Sequence, residues 1–458
     1  MSEFLSQLQT CLGSPLLTGG DIGARYQHDW SAEPAGIPVA VARPGSTDEV
    51  AAIMKLCAQR GQRVVVQGGL SGLCGGGNPR DGELAISLER LSGIEELDTA
   101  SMTMTVKAGT PLQVIQEAAA NAGFVFPLDL GARGTCNIGG NISTNAGGNQ
   151  VLRFGMTRNL VLGLEAVLAD GTVISSLNKM LKNNAAYDLK HLFIGTEGTL
   201  GIVTRAVLRL YPKAQSRCSA LLAVSEFPKV VEVLHKVTRD FAGGLSAFEV
   251  MWHSYYHFIT DNVKGIVSPF SERHPLYILV EMEGGDQERD QASFENILSD
   301  ALEQGLVVDA VVAGSQRERE GFWKIRDGVA EIGQFIRDTA NFDVSVPISS
   351  MKDFLAAIEA ELKAQVPAAK MLVFGHIADS NLHIICYTGR REDIKAMYAI
   401  VYGKVGQFNG SVSAEHGIGV QKLNYLRFSR TPQELALMRT LKQAMDPQSL
   451  LNNGRVLS

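Results

Sequence analysis

The chain reads as an α+β protein of more than one domain, and three observations carry that reading. Residues 38–69 pattern as strand, helix, strand and run straight into glycines. Two further small-residue segments follow, and beyond residue 213 the pattern becomes strand-then-helix repeats of a sheet. The 458 residues also exceed what one ordinary core holds, so two or three domains are the natural division.

In chain order, "PVAVA" is a short apolar strand and "RPGSTDEVAAIMKLCAQRG" a helix with proper ends. Ser46 with Glu49 three residues later makes a capping-box pattern, and Gly61 supplies the stop. "QRVVVQGG" is a buried strand, and "GLEAVLADGTVISS" turns at Asp170-Gly171, a strong hairpin signal. "ALLAVSEFPKVVEVLHKVTRDF" and "PLYILVEMEGGDQERDQASFENILSDALEQG" are the strand–helix repeats. The closing "TPQELALMRTLKQAMDPQSLLNNGRVLS" is helical up to Pro447 and then extended. The division expected from these patterns is an N-terminal helical segment over 1–37 and a first domain over 38–213. A second domain covers 214–420, and a segment over 421–458 returns to the first.

Composition excludes several classes. A net charge of −6 argues against a nucleic-acid or anionic-membrane surface. No run of 18 apolar residues suggests a membrane span. The start, "MSEFLSQLQTCLG", lacks the basic and apolar regions of a secretory signal. Six scattered cysteines without a C-x-x-C pair exclude a cysteine-ligated zinc ribbon or iron–sulfur cluster. Reduced thiols in a cytoplasm fit this pattern.

The 47 glycines are the one compositional excess, and they cluster. "VVVQGGLSGLCGGGNPR" (64–80) follows a strand and presents Gly68, Gly69, Gly72, Gly75, Gly76 and Gly77. Consecutive bare N–H groups suit a pyrophosphate, although one such loop is equally well a flexible connection. Neither a G-x-G-x-x-G opening a helix nor a Walker loop is present, since Gly403-Lys404 is followed by valine. "PLDLGARGTCNIGGNISTNAGGNQVLRFG" (127–155) and "IGTEGTLGIVT" (194–204) are two more segments poor in core residues and rich in small polar ones. Three such loops together favour a large cofactor bearing phosphates.

The "IGGN…TNAGG" core and "EGTLGI" resemble the FAD-binding domain of the vanillyl-alcohol oxidase and p-cresol methylhydroxylase superfamily, and the likeness runs from about residue 38 to the C-terminus. The resemblance implies an α+β fold: a two-part FAD-binding domain of the vanillyl-alcohol oxidase type plus an antiparallel-sheet substrate domain covered by helices. It places the FAD pyrophosphate on Gly68, Gly69, Leu70, Ser71, Gly72 and Leu73. Further cofactor positions it implies are Pro127, Asp129, Gly139, Gly140, Asn141, Thr144, Ala146, Gly147, Gly148, Glu197, Gly198, Ile202 and Asn452. Some members tether FAD through a histidine in the first loop; this loop has none, so non-covalent FAD is expected.

"FGHIADSNLHI" (374–384) carries a second kind of signal. If "ADSN" is a four-residue turn, Ile377 faces Leu382 and His376 faces His383 across a hairpin, within reach of one ion. Glu415 in "SAEHGIG" adds a carboxylate, and two imidazoles with one oxygen suit zinc, with manganese or iron tolerated. From spacing alone, two satisfied core histidines explain the pair equally well. The zinc-protease helix H-E-x-x-H is absent, and Gly417 and Gly419 would spoil it.

"GHIADSNLH" and "SVSAEHGIG" resemble the C-terminal signature of FAD-linked D-2-hydroxy acid dehydrogenases, above all the D-2-hydroxyglutarate branch, which "PLDLGARG" also resembles more than the D-lactate branch. The resemblance implies that His376, His383 and Glu415 bind a divalent metal, usually zinc. It makes His416 the active-site base, and Arg326 in "FWKIRDG" the group that binds the substrate carboxylate. Such an enzyme oxidises its substrate to a 2-oxo acid by hydride transfer from C2 to flavin N5. An electron-transfer flavoprotein or a quinone would accept the electrons, and a homodimer is an expected assembly.

The sequence departs from that branch where a threonine, a lysine and an asparagine line the substrate pocket. Here those positions are Ala330, Asn341 and Ile385. A distal carboxylate loses its partners, which is costly in a desolvated pocket. A lactate-like or larger monocarboxylate is therefore the expected substrate, unless Lys324 or Arg337 replaces the missing cation. D-2-Hydroxyglutarate or D-malate is the alternative. The rivals of another class are a redox-silent flavoenzyme of the alkylglycerone-phosphate synthase type and a non-catalytic flavin subunit.

Overall fold

The computed structural model describes residues 2–457, and the chain forms two compact units. The first comprises the residues up to Gly148, Phe154–Lys213 and those from Glu415 onward; the second comprises Asn149–Arg153 and Ala214–Ala414. The chain thus re-enters the first unit after Ala414, earlier than the expected residue 420. Residues before 38 are part of the first unit rather than a segment apart: Leu17 bridges Val41, and Gln67 Nε2 donates to Tyr26 O at 2.8 Å.

In the first unit, helix α1 (Ser2–Thr10) buries Phe4 and Leu8. Strand β1 (Ala40–Ala42), helix α2 (Thr47–Arg60) and strand β2 (Val64–Gln67) follow the expected order. Ser46 caps α2 by accepting from Glu49 N at 3.2 Å, and Gly61 ends it at φ 62°. The reciprocal half of the capping box is absent, because the Glu49 carboxylate takes the N–H groups of Gly45 (2.8 Å) and Gly13 (3.1 Å) instead. Strand β3 (Leu84–Ser87) lies between β1 and β2 in an all-parallel sheet. The two strands of the unit expected at 38–69 are therefore not neighbours. With Leu84, Ala85 and Ile86 fully buried, β3 is the strand suited to the centre.

A second sheet is antiparallel, from β4 (Ile94–Asp98), β5 (Thr103–Lys107), β6 (Val161–Val167), β7 (Val173–Ser176) and β8 (Ile202–Arg209), in the order β4-β5-β8-β6-β7. The β6–β7 hairpin turns at Asp170-Gly171, with Gly171 at φ 87°. Helix α3 (Leu112–Asn121) and the short helix α4 (Ile138–Thr144) complete this half. The C-terminal helix spans Pro432–Met445, but the segment after Pro447 is not extended. Ser449, Asn452 and Val456 adopt left-handed backbone, and the Asp446 carboxylate gathers the N–H groups of Leu450 (2.9 Å) and Leu451 (2.8 Å) into turns. Leu451 bridges Val64 in parallel.

The second unit is built on one seven-stranded antiparallel sheet. Its strands are β9 (Ser216–Val224), β10 (Leu245–Trp252), β11 (Leu276–Gly284), β12 (Asp309–Val312), β13 (Thr339–Ser345), β14 (Lys370–His376) and β15 (Asn381–Tyr387). Their order is β12-β9-β11-β10-β14-β15-β13. Helices α5 (Phe227–Asp240), α6 (His253–Asn262), α7 (Gln287–Glu303), α8 (Gln316–Asp327), α9 (Met351–Gln365) and α10 (Ile394–Gln407) pack on it or on one another. Tyr255 of α6 stacks on Phe374 of β14 at 4.2 Å, fixing that helix over one sheet face.

Candidate active site

The register of the second unit's sheet decides which side chains share a face. Phe374 of β14 pairs with His383 of β15, so His376 does not face His383 as the sequence spacing suggested. The turn between the strands is a 3-10 turn at Ile377–Asp379 followed by Ser380 in the left-handed region, and this sets the different register. His376 instead pairs with Glu249 of β10. Because side chains alternate, His376, Phe374 and His383 still lie on one face, and the two imidazole rings are 5.3 Å apart at their centroids. Asp343 of β13 pairs with His383, and Asn341 pairs with Ile385. The same face therefore runs from apolar (Leu372, Phe374, Ile385) to polar (Glu249, His376, His383, Asp343).

Arg326, near the end of α8, reaches this row. Its Nε donates to Glu249 Oε2 at 3.0 Å, its Nη2 lies 2.9 Å from His376 Nε2, and its Nη1 donates to Asp327 Oδ1 at 3.3 Å. Glu249 Oε1 lies 2.5 Å from His376 Nδ1. A guanidinium only donates, so His376 Nε2 accepts and Nδ1 carries the proton that goes to Glu249. Burial alone pushes the Glu249 carboxyl up, but His376 and Arg326 outweigh it and hold it down at about 2. Burial would lower the Arg326 pKa; Glu249 outweighs it and raises it. Asp379, in the turn, is pushed up to about 6 by burial, with His376 opposing and Glu249 and Asp343 adding.

Residues 411–414 run beside β13: Ser411 and Ser345 exchange backbone hydrogen bonds, and Ala414 N donates to Asp343 O at 3.2 Å. Glu415 is the next residue, the first of the chain's return to the first unit. There its carboxylate rests where a side chain on Gly147 would have to go.

The glycine segments of the first unit pack backbone to backbone. A Cβ on Gly69 would collide with Thr135 O, so the first segment can lie this close to the second only with glycine at that position. Among the described residues, the N–H groups of residues 69–73 make no hydrogen bond to another residue, and Leu70 sits at φ 52°. Asn141 Oδ1 on α4 is buried without a partner. Uncommitted donors on a glycine loop and an orphaned amide oxygen on α4 suit a phosphate-bearing cofactor with polar edges.

Comparison with known proteins places this framework. The family described as FAD binding domain matches residues 38–176, and that described as FAD linked oxidases, C-terminal domain, matches residues 213–456. A protein named D-2-hydroxyglutarate dehydrogenase from Xanthomonas citri pv. viticola is 38% identical over 444 residues, 94% of this chain and 92% of its own. One named D-2-hydroxyglutarate dehydrogenase, mitochondrial, from Arabidopsis thaliana is 36% identical over 431 residues, covering 94% of this chain and 77% of its own. The chain belongs to the D-2-hydroxyglutarate dehydrogenase family of FAD-linked proteins. A solved structure of p-cresol methylhydroxylase with substrate bound shares the fold, at a TM-score of 0.81 and 15% identity, covering 99% of this chain and 96% of that one.

Within this family frame, Pro127 and Asp129 lie in the loop before α4, where Asp129 pairs with Arg133 at 2.9 Å. Gly139, Gly140 and Thr144 are on α4; Ala146, Gly147 and Gly148 follow it. Gly198 abuts Asn452, which bridges β2 and Glu197 by accepting from Val66 N (2.8 Å) and donating to Glu197 O (2.6 Å). Ile202 opens β8 with its side chain in the core. Ala330 and Asn341 are exposed, whereas Ile385 is buried. Sequence reasoning passed over Glu249 and Asp343. Each is a lone carboxylate inside an apolar strand, "AFEVMW" and "NFDVSV", and a charge there needs a partner.

Proposed function

We propose that the protein oxidises a D-2-hydroxy acid to the 2-oxo acid with non-covalent FAD and a divalent cation. His376, His383 and Glu415 would hold the cation, zinc best suiting two imidazoles and a carboxylate. The observation that carries this reading is the Glu249–His376 contact. It fixes the tautomer that presents a lone pair at Nε2, as a carboxylate behind a metal-bound histidine does. When bound, the cation lowers the pKa of the substrate hydroxyl and FAD accepts the hydride from C2.

His416 takes the hydroxyl proton on its ring, a task suited to imidazole near neutral pH. Arg326 holds the carboxylate and so selects the face of C2 that reacts. Its three nitrogens are engaged by Glu249, Asp327 and His376, and a cation on His376 Nε2 would take the lone pair that Nη2 now uses. Glu249 meanwhile keeps the guanidinium in place.

The altered positions favour a lactate-like or larger monocarboxylate. Asn341 and Ile385 face each other across β13 and β15, so an amide and an alkyl group share one spot on the face that carries His383. Lys324 precedes Arg326 by two residues on α8, about 200° around the helix, and does not share its face. Identity to proteins named for D-2-hydroxyglutarate, 38% over 444 residues, favours that diacid as the second reading. The acceptor in this account is an electron-transfer flavoprotein or a quinone, and the place of action the cytoplasm. No described helix is long and apolar enough to cross a membrane.

Anaerobic bleaching of the flavin by a panel of D- and L-2-hydroxy acids tests the reading. Fast bleaching by D-monocarboxylates is expected. Fast bleaching by D-2-hydroxyglutarate selects the second reading, and bleaching by none overturns both in favour of a redox-silent flavoprotein.

A further inference from the structure

We infer that Glu197 is a positioning residue whose carboxylate clamps the turn carrying His416, an inference that rests on the function proposed above. Glu197 Oε1 accepts from Ile418 N at 2.6 Å and Oε2 from Gly419 N at 2.9 Å, so both oxygens go to consecutive N–H groups just after His416. The clamp is itself fixed. Glu197 is held in the left-handed region at φ 51°, with its N–H on Ser143 O (2.8 Å) and its carbonyl on Asn452 Nδ2 (2.6 Å). A non-glycine residue adopts that backbone only where its surroundings enforce it.

The turn fits the clamp closely. Gly417 is at φ 83°, and a Cβ there would lie 2.7 Å from Glu197 Oε1. Cys74, from the first glycine segment, holds the other side: its carbonyl accepts from Val420 N at 2.9 Å, and its Sγ lies 3.3 Å from Gly417 O. Val456 N donates to Gly419 O at 3.0 Å. The cofactor-binding segments and the turn of the proposed base are thereby one hydrogen-bonded frame within the first unit. This reassigns Glu197, expected from resemblance to contact FAD. Both of its side-chain oxygens are taken by the turn.

The test compares wild type with Glu197→Ala and the isosteric Glu197→Gln, reading FAD content, anaerobic flavin reduction by the best hydroxy acid, KM, and hydrogen exchange of residues 415–420. The expected result is full FAD content and KM within about threefold in both variants. Flavin reduction should slow about 10- to 100-fold in Glu197→Ala, the scale of a misplaced reacting group, and less in Glu197→Gln, which keeps one acceptor. Amide exchange at 418–419 should quicken in the same order. Loss of FAD from Glu197→Gln would overturn the inference by making Glu197 a cofactor residue. An unchanged rate with FAD bound would overturn it too. Should the alanine variant misfold, the glutamine variant decides alone. A wild-type flavin that no hydroxy acid reduces would sink the parent reading, whereas wild-type reduction with unaltered variants sinks only this one.

Discussion

Glu249 Oε1 sits 2.5 Å from His376 Nδ1, joining residues from two neighbouring strands by a buried hydrogen bond. The other carboxylate oxygen takes Arg326, so one acid orients both the proposed metal ligand and the proposed substrate-binding cation. Replacing it should therefore affect two functions at once.

Glu249→Gln keeps the shape and removes the charge. Cation affinity should fall about 10- to 100-fold, the usual effect of losing the group behind a metal-bound histidine. A zinc competition titration against a chromophoric chelator measures it, and unchanged affinity would detach Glu249 from any metal role. Breaking a buried pair from one side also costs about 3–5 kcal/mol, visible as a lowered thermal midpoint.

His416→Gln should leave FAD bound and slow flavin reduction by about 10²- to 10⁴-fold, the range lost with a general base. Stopped-flow reduction at saturating substrate reads this. A variant that reduces flavin at the wild-type rate would assign the proton to another group.

Asn341→Lys restores a cation at an exposed position opposite Ile385. The ratio of kcat/KM for D-2-hydroxyglutarate over D-lactate should rise by up to about fivefold, since an ion pair at an exposed position contributes at most about 1 kcal/mol. An unchanged ratio would show that this face does not meet the distal end of the substrate.

Stability should also fall in mild acid through a group outside the site. Burial, then His253 and Arg273, lower the pKa of His257 from 6.5 to about 4, while its Nε2 is held 2.9 Å from the Tyr277 hydroxyl. The unfolded chain takes up this proton between pH 6.5 and about 4 and the folded chain does not, so stability drops across that window as pH falls. Thermal midpoints at pH 7 and pH 4.5 should diverge more in the wild type than in His257→Gln.

What the sequence made legible was local chemistry. Ser46 and Gly61 bound a helix by contacts within a few residues, and the Asp170-Gly171 hairpin rests on Gly171 at φ 87° and on the Asp170 carboxylate accepting from Thr172 N. His376 and His383 were legible as a pair but not in their register. Strand pairing with β10 places His376 opposite a residue 127 positions away in the chain. Glu249 was invisible for the same reason, as was the opposition of Asn341 to Ile385, which needs a sheet in which β15 lies between β14 and β13. Glu197 was legible only as part of a glycine motif, since the turn it clamps lies 221 residues on.

The most direct measurement is flavin reduction by the best D-2-hydroxy acid before and after exhaustive chelation, followed by zinc addition. With the cation required for proton removal, chelation abolishes reduction while FAD stays bound, and zinc restores it. Full-rate reduction by the chelated, zinc-free protein would contradict that requirement.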